Sequence, residues 1–258
     1  MARTINTITK ALAILEEVVY NQDTGLTLTE ILQHIGTPKS STHRILSNLL
    51  TCGYLDFDKE TGKYRGALKL SSLGSEVLSR FDLRVHMRPH LVELHKHTGH
   101  TCNLAIRSGN VGVYIDRVES QRYGIRLFSD IGQTFPLHSG GLGKALLAYA
   151  DAQEREAFLK RPLQAFTKNT ISDPNVLRKE LEKVRSRGYS IERGETFRGV
   201  MCIGAAILVS GNECVGAISV TFPTFAEEER DLEKDIEAVK RCAEAGSAVQ
   251  HVKVQPEC

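Results

Sequence analysis

No stretch of this sequence approaches the roughly 20 consecutive apolar residues that a membrane-spanning helix needs. The apolar run Ala205 to Val209 is soon ended by Ser210-Gly211-Asn212, so no membrane partner is expected. Paired cysteines are also missing: Cys52, Cys102, Cys202, Cys214, Cys242 and Cys258 lie far apart with no C-x-x-C. With no secretory leader pattern at the start, reduced thiols in a cytoplasm are expected. Net charge is nearly absent at +2, too little to announce a polyanion partner. The chain has no G-x-S-x-G, G-x-G-x-x-G or H-E-x-x-H. HSGGLGKAL, His138 to Leu146, fails as a phosphate loop, because His138 stands where glycine is required and Ala145 where Ser or Thr is required. The histidines His86, His90, His95, His97 and His100 have no acidic or cysteine third ligand at a suitable spacing, so neither metal nor cofactor is expected.

What is present is helical punctuation. Ile8, Leu12, Leu15 and Val19 recur at helical spacing and predict an amphipathic first helix with that face buried. Thr27 and Glu30 form a T-x-x-E capping box for a second, short helix, which Gly36 ends. Thr37 is expected to cap a third helix, with Pro38 at its first position. At about 100° per residue, Thr42, Ile45, Leu46, Leu49 and Leu50 of that helix share one face. Lys39, Ser40, His43, Arg44 and Ser47 share the other. Tyr54 to Phe57, the turn Asp58 to Gly62, and Lys63-Tyr64-Arg65 then read as a hairpin.

Three helices and a hairpin make a winged helix-turn-helix, whose third helix enters the DNA major groove. Lys39, Ser40 and Ser41 at the helix start suit a phosphate or a base edge. Arg44 is the foremost base reader, because its planar fork matches guanine O6 and N7; His43 and Ser47 assist. Lys63 and Arg65 on the wing and Arg3 ahead of the first helix are assigned to backbone or minor groove. Seven basic residues up to Arg65 are balanced by seven acidic ones. A single copy should therefore bind weakly, and a dimer on double-stranded DNA is implied.

Residues 68 to 97 read as a linker helix, interrupted near Asp82 and Pro89. Effector binding is expected to reorient this segment and change half-site spacing. Beyond it, Thr101 to Arg107 and Val111 to Arg117 read as a hairpin, and Ile125 to Phe128 as a further strand. Gly143 to Tyr149, Asp151 to Lys160, Pro174 to Arg187 and Ala226 to Val249 read as helices, with apolar strands over Gly199 to Val209 and Cys214 to Thr221. Such a mixture predicts an α+β domain with room for a ligand. Gly140, Gly141 and Gly143 offer backbone N–H groups for a small anion.

TPKSSTHRILSNLLTCGYL, PHLVELHKHTGHTCNLAI, FPLHSGGLGKALLA, and GVMCIGAAI with AISVTFP occur in this order and resemble the IclR family of bacterial transcription factors. The resemblance implies an α+β chain of two domains: a winged helix-turn-helix (1–67), a linker helix (68–82) and a GAF-like effector-binding α/β sandwich (83–258). It implies a homodimer or dimer of dimers on a palindromic operator, switched by a small organic acid or aromatic compound. Carried over by motif, the effector site is Gly141 and Leu142 as backbone donors, with Glu192, Cys202, Ser219 and Thr221. Two departures stand out. Tyr64-Arg65-Gly66-Ala67 replaces the family's tyrosine-arginine-leucine-glycine, which predicts a shortened exit from the wing. Glu192 replaces an aspartate, and its charge favours a hydroxylated or sugar acid over a bare keto acid.

The reading that follows is a ligand-responsive DNA-binding regulator, a repressor of a catabolic operon, with no catalytic residues. Two rivals remain open at this level. One is an enzyme built on the second domain with a Cys202/His138 pair; the other is a sensor whose helix-turn-helix makes only protein contacts.

Overall fold

The computed structural model describes residues 7–79, 82–122, 130–209, 213–226 and 231–247. The chain divides into two compact units, Met1–Val77 and Leu78–Cys258, a division that falls inside the segment 68–82. Arg3 and the expected strand Ile125 to Phe128 lie outside the described residues.

The first unit holds helices α1 (Thr7–Tyr20), α2 (Leu28–Ile35) and α3 (Lys39–Thr51), the strands β1 (Leu26–Thr27), β2 (Leu55–Asp58) and β3 (Lys63–Gly66), and helix α4 (Leu68–Ser79). The capping box forms: the Thr27 N–H donates to Glu30 Oε2 at 2.7 Å and the Glu30 N–H to Thr27 Oγ1 at 3.4 Å. Gly36 closes α2 at φ 67°, a left-handed conformation that glycine adopts without a Cβ clash. Thr37 does not cap α3. The cap position falls on Pro38, and the Thr37 hydroxyl instead lies 2.7 Å from that of Thr42.

The buried face of α1 also differs from the expectation. Ile14 and Val18 enter the core with Ile31, Ile45, Leu46, Leu55 and Tyr64, whereas Ile8, Leu12 and Val19 are exposed. This helix is apolar on two stripes, and periodicity cannot tell which one meets its own domain. In the wing, β3 keeps its pairing with β2 through Gly66, opposite Leu55. Its exit is held by Gln22, which accepts from the Gly66 N–H at 2.7 Å and donates to the Gly66 carbonyl at 3.1 Å.

The second unit is one six-stranded antiparallel sheet in the order β6-β5-β4-β9-β8-β7. The strands are β4 (Thr101–Ser108), β5 (Val111–Val118), β6 (Thr134–Pro136), β7 (Ser190–Arg193), β8 (Val200–Val209) and β9 (Glu213–Pro223). Helices α5 (Asp82–Thr98) and α9 (Leu232–Ser247) cover one face; α6 (Gly141–Ala148) and α8 (Pro174–Arg187) cover the other, with α7 (Ala152–Leu159) alongside. Helix α5 runs through Pro89 without a break, against the expected interruption there. The closing helix starts at Leu232 rather than Ala226, which sits in a 3-10 turn, Thr224–Ala226.

The two-residue period of the strands decides what faces what. Cys102, Leu104 and Ile106 of β4, Ile218, Val220 and Phe222 of β9, and Met201, Ile203, Ala205 and Ile207 of β8 pack against α5 and α9. Their alternate neighbours Asn103, Ser219, Thr221 and Cys202 therefore face the α6 side, as does Glu192 of β7.

Candidate functional site

Helix α3 turns Thr42, Ile45 and Leu46 inward and leaves Lys39, Ser40, His43, Arg44 and Ser47 exposed, with Ser41 half-buried. No acidic residue interrupts this helix, so the balanced charge of the unit is unevenly placed, with the outer face of α3 positive. The wing is differently arranged. Lys63 Nζ donates to the Thr24 carbonyl at 2.9 Å, and Arg65 reaches the same oxygen at 3.4 Å with Asp58 3.9 Å away. Both wing cations are thus held against the turn before β1 by the Thr24 carbonyl. Asp58 is spent on the wing turn, accepting from Thr61 Oγ1 at 2.7 Å and the Glu60 N–H at 2.9 Å. These hydrogen bonds hold its carboxyl below the usual value.

In the second unit, all six residues assigned to the effector site line one cavity of about 370 Å³. Ser219, Thr221, Cys202 and Glu192 are neighbours across the sheet by register, Cys202 opposite both Thr221 and Glu192. Gly141 and Leu142 stand over them at the start of α6. Close approach is what glycine supplies here: a Cβ on Gly204 would lie 2.7 Å from the Gly141 carbonyl, and Ser190 Oγ donates to that carbonyl at 2.6 Å. The first N–H groups of α6 thereby point over the polar floor with the positive end of the helix dipole.

Several lining residues escape a reading of the sequence. Asn103 joins the floor, with its Nδ2 donating to Thr221 Oγ1 at 3.3 Å and its buried Oδ1 left without a partner. Tyr114 and Phe135, ring centroids 4.6 Å apart, form an apolar wall; Phe166 and Phe197 stand partly exposed at the rim. One turn into α6 lies Lys144, 1% exposed, which donates to the Ile191 carbonyl at 2.7 Å and to Glu195 Oε1. The other oxygen of Glu195 is buried and unpartnered.

Glu192 accepts the Glu195 N–H at 2.5 Å and the Thr196 N–H at 3.2 Å through one oxygen. Burial outweighs these bonds and pushes its carboxyl up. Burial likewise pushes the Cys202 thiol well above its usual value, and Glu192 adds to the shift. Cys202 Sγ lies 3.2 Å from Thr221 Oγ1, whereas His138 is bonded to the Gln164 carbonyl at 2.9 Å. A protonated thiol with no histidine beside it is not a nucleophile. Among the described residues no three His, Cys, Asp or Glu side chains are grouped as a metal would require, and no helix is long and apolar enough to cross a membrane.

A DNA-reading helix in one unit and a polar-floored cavity in another define a ligand-responsive transcriptional regulator. Comparison with known proteins agrees. The IclR helix-turn-helix domain matches residues 7–59, and the bacterial transcriptional regulator IclR C-terminal domain matches residues 75–248. The chain belongs to the IclR family. It is similar to the HTH-type transcriptional regulator XynR of Escherichia coli (strain K12), 32% identical over 88% of this chain and 90% of that protein. The transcriptional repressor IclR of the same organism is 31% identical over 85% of this chain and 80% of that protein. The crystal structure of the Thermotoga maritima IclR covers 94% of this chain and 98% of its own, with a TM-score of 0.73 and 34% identity. These relatives are regulators, and the chain is a regulator rather than an enzyme.

Proposed function

We propose that this regulator represses a catabolic operon from the cytoplasm, as a homodimer or dimer of dimers on a palindromic operator. A small hydroxylated organic or sugar acid in the second unit's cavity switches its grip on DNA. The observation that carries the effector half is the convergence of Gly141, Leu142, Glu192, Cys202, Ser219 and Thr221 on one cavity, from a helix start and three strands. Backbone N–H groups above and small polar side chains below suit a compact polar ligand. Dimerisation is supported by the apolar stripe left uncovered on α1 and α4, where Ile8, Leu12, Leu68, Leu73 and Val77 are exposed. Lys39, Ser40, Ser41, His43, Arg44 and Ser47 are proposed to contact DNA, with Lys63, Arg65 and Arg3 as its backbone or minor-groove contacts. Repression follows the relative that is named as a repressor. The test is fluorescence anisotropy on DNA from upstream of its own gene, with a salt series and competitor DNA. Specific, steeply salt-dependent binding that a hydroxy acid weakens is expected; equal affinity for specific and competitor DNA across genomic fragments refutes the reading.

A further inference from the structure

The charge inventory of the cavity raises a question that the family's general features do not answer. None of its lining residues among those described is Lys, Arg or His, and its one carboxyl group is Glu192. The nearest ammonium, Lys144, sits on α6 and is already committed to Glu195 and the Ile191 carbonyl. Counting the buried groups as ionised, Glu192, Glu195 and Lys144 sum to one negative charge before any ligand arrives. An acidic effector would raise this to two in a volume walled by Tyr114 and Phe135 and closed to water on the sheet side. The partial positive charge at the start of α6 amounts to roughly half an elementary charge, too little to neutralise a second carboxylate.

We propose that Glu192 takes up one proton from solvent when an acidic effector binds, so that the site recognises a carboxylate and a proton together. This inference rests on the acid-effector reading above. The amides of Glu195 and Thr196 hold Glu192 Oε1, and the Cys202 thiol also hydrogen-bonds this carboxyl; on this proposal Oε2 carries the added proton and donates it in a hydrogen bond toward the ligand. The groups facing Glu192 are Lys144 from α6, Cys202 from β8, Tyr114 from β5, and Glu195 on the following loop. Burial pushes the Cys202 thiol and the Tyr114 hydroxyl up, so both stay neutral and neither supplies the missing positive charge. Lys144 is held by Glu195, on which Glu180 also acts. Burial pushes the Glu195 carboxyl up as well, but its ion pair with Lys144 opposes protonation and it does not line the cavity, so Glu192, also pushed up by burial, is the group that meets the added charge. An aspartate at the same position would be one methylene shorter and would sit further from the ligand. The longer side chain makes the proton part of the recognition.

The experiment is isothermal titration calorimetry of the full chain with glycolate, D-gluconate and mandelate, from about pH 6 to about pH 8, in two buffers of different ionisation enthalpy. These acids stay ionised throughout, so any proton bound is the protein's. The expected result for an acid that binds is uptake of close to one proton per site toward the alkaline end. Its Kd should then rise by a factor approaching ten per pH unit. Glu192→Gln should abolish the slope and bind that acid more tightly than the natural protein at the alkaline end. His138→Gln, which changes the neighbouring histidine outside the cavity, should retain the slope. Binding with a flat Kd and no proton uptake, or a slope that survives in Glu192→Gln, overturns the proposal while leaving the acid reading intact. If no acid binds at any pH, the acid reading fails and the proposal with it. Should Glu192→Gln not fold, the two-buffer measurement on the natural chain decides alone.

Discussion

Replacing Gly204 by alanine tests whether the floor and roof of the cavity are pressed together by design of the backbone. On β8 alone the change would be mildly favourable, because alanine loses less entropy than glycine, by roughly 0.5–1 kcal/mol. Its new Cβ, however, would lie 2.7 Å from both the carbonyl carbon and oxygen of Gly141 and 3.0 Å from Ser190 Oγ. Two of these three atoms are backbone, so no rotamer relieves the clash, and α6 must lift away from the sheet. Overpacking of this kind costs about 1–3 kcal/mol, which outweighs the entropy gain. A unit of this size loses roughly 2–4 °C of melting temperature per kcal/mol. Gly74→Ala is the matched control: its Cβ on α4 meets nothing within 4 Å, and a gain of about 0.5–1 kcal/mol is expected. Scanning calorimetry of both variants gives the answer. A transition for Gly204→Ala that is unchanged or raised would refute the close-packing argument.

Other consequences are open to direct measurement. Lys144→Met should cost the second unit about 3–5 kcal/mol in urea denaturation, because it leaves Glu195 buried and uncompensated; adding Glu195→Gln should recover part of the loss. Arg44→Ala should weaken specific DNA binding by about 1–3 kcal/mol in anisotropy titrations with no change in melting temperature, since Arg44 is exposed. Leu12→Glu with Leu73→Glu should shift sedimentation velocity toward monomer, and an unchanged sedimentation coefficient would remove the α1–α4 stripe from the dimer. For Glu192 the folded carboxyl lies above its ordinary 4.5, so the folded protein keeps a proton that the unfolded chain has released. That contribution is full below the ordinary value and is lost as pH rises through the folded one; Glu192→Gln should flatten the decline in urea-denaturation stability.

How far the sequence could be read depended on the range of the interaction. The capping box at Thr27 and Glu30 and the stop at Gly36 involve neighbours along the chain, so both were legible. The inward face of α3 was legible for the same reason, since one stripe is apolar and the other is not. Helix α1 defeated the same logic because Ile8 and Leu12 repeat as regularly as Ile14 and Val18, and only tertiary contact separates them. Pro89 predicted a break that α5 does not have, a case where packing of Met87, Leu91 and Leu94 overrides a local preference. In the cavity, the polar positions carried over by motif lie together, while Asn103, Tyr114 and Phe135 come from a hairpin and an edge strand whose approach no local pattern encodes. Lys144 was visible only as part of a failed phosphate loop. Its burial beside Glu195, 51 residues onward, is a fact of the fold.

The cavity is built from parts of unequal permanence. Its floor residues sit on β4, β9, β8 and β7, strands locked into consecutive ladders, and changing their backbone would disturb the whole sheet. Its wall and rim sit elsewhere: Phe135 on a three-residue edge strand, Phe166 and Phe197 on connecting segments. Substitutions there can reshape the ligand's surroundings while leaving the scaffold untouched. A sensor assembled this way can exchange one metabolite for another by small steps, each still folded and still wired to the same DNA-reading unit. The same division tells an engineer where to randomise: the three phenylalanines first, and the ladder residues last.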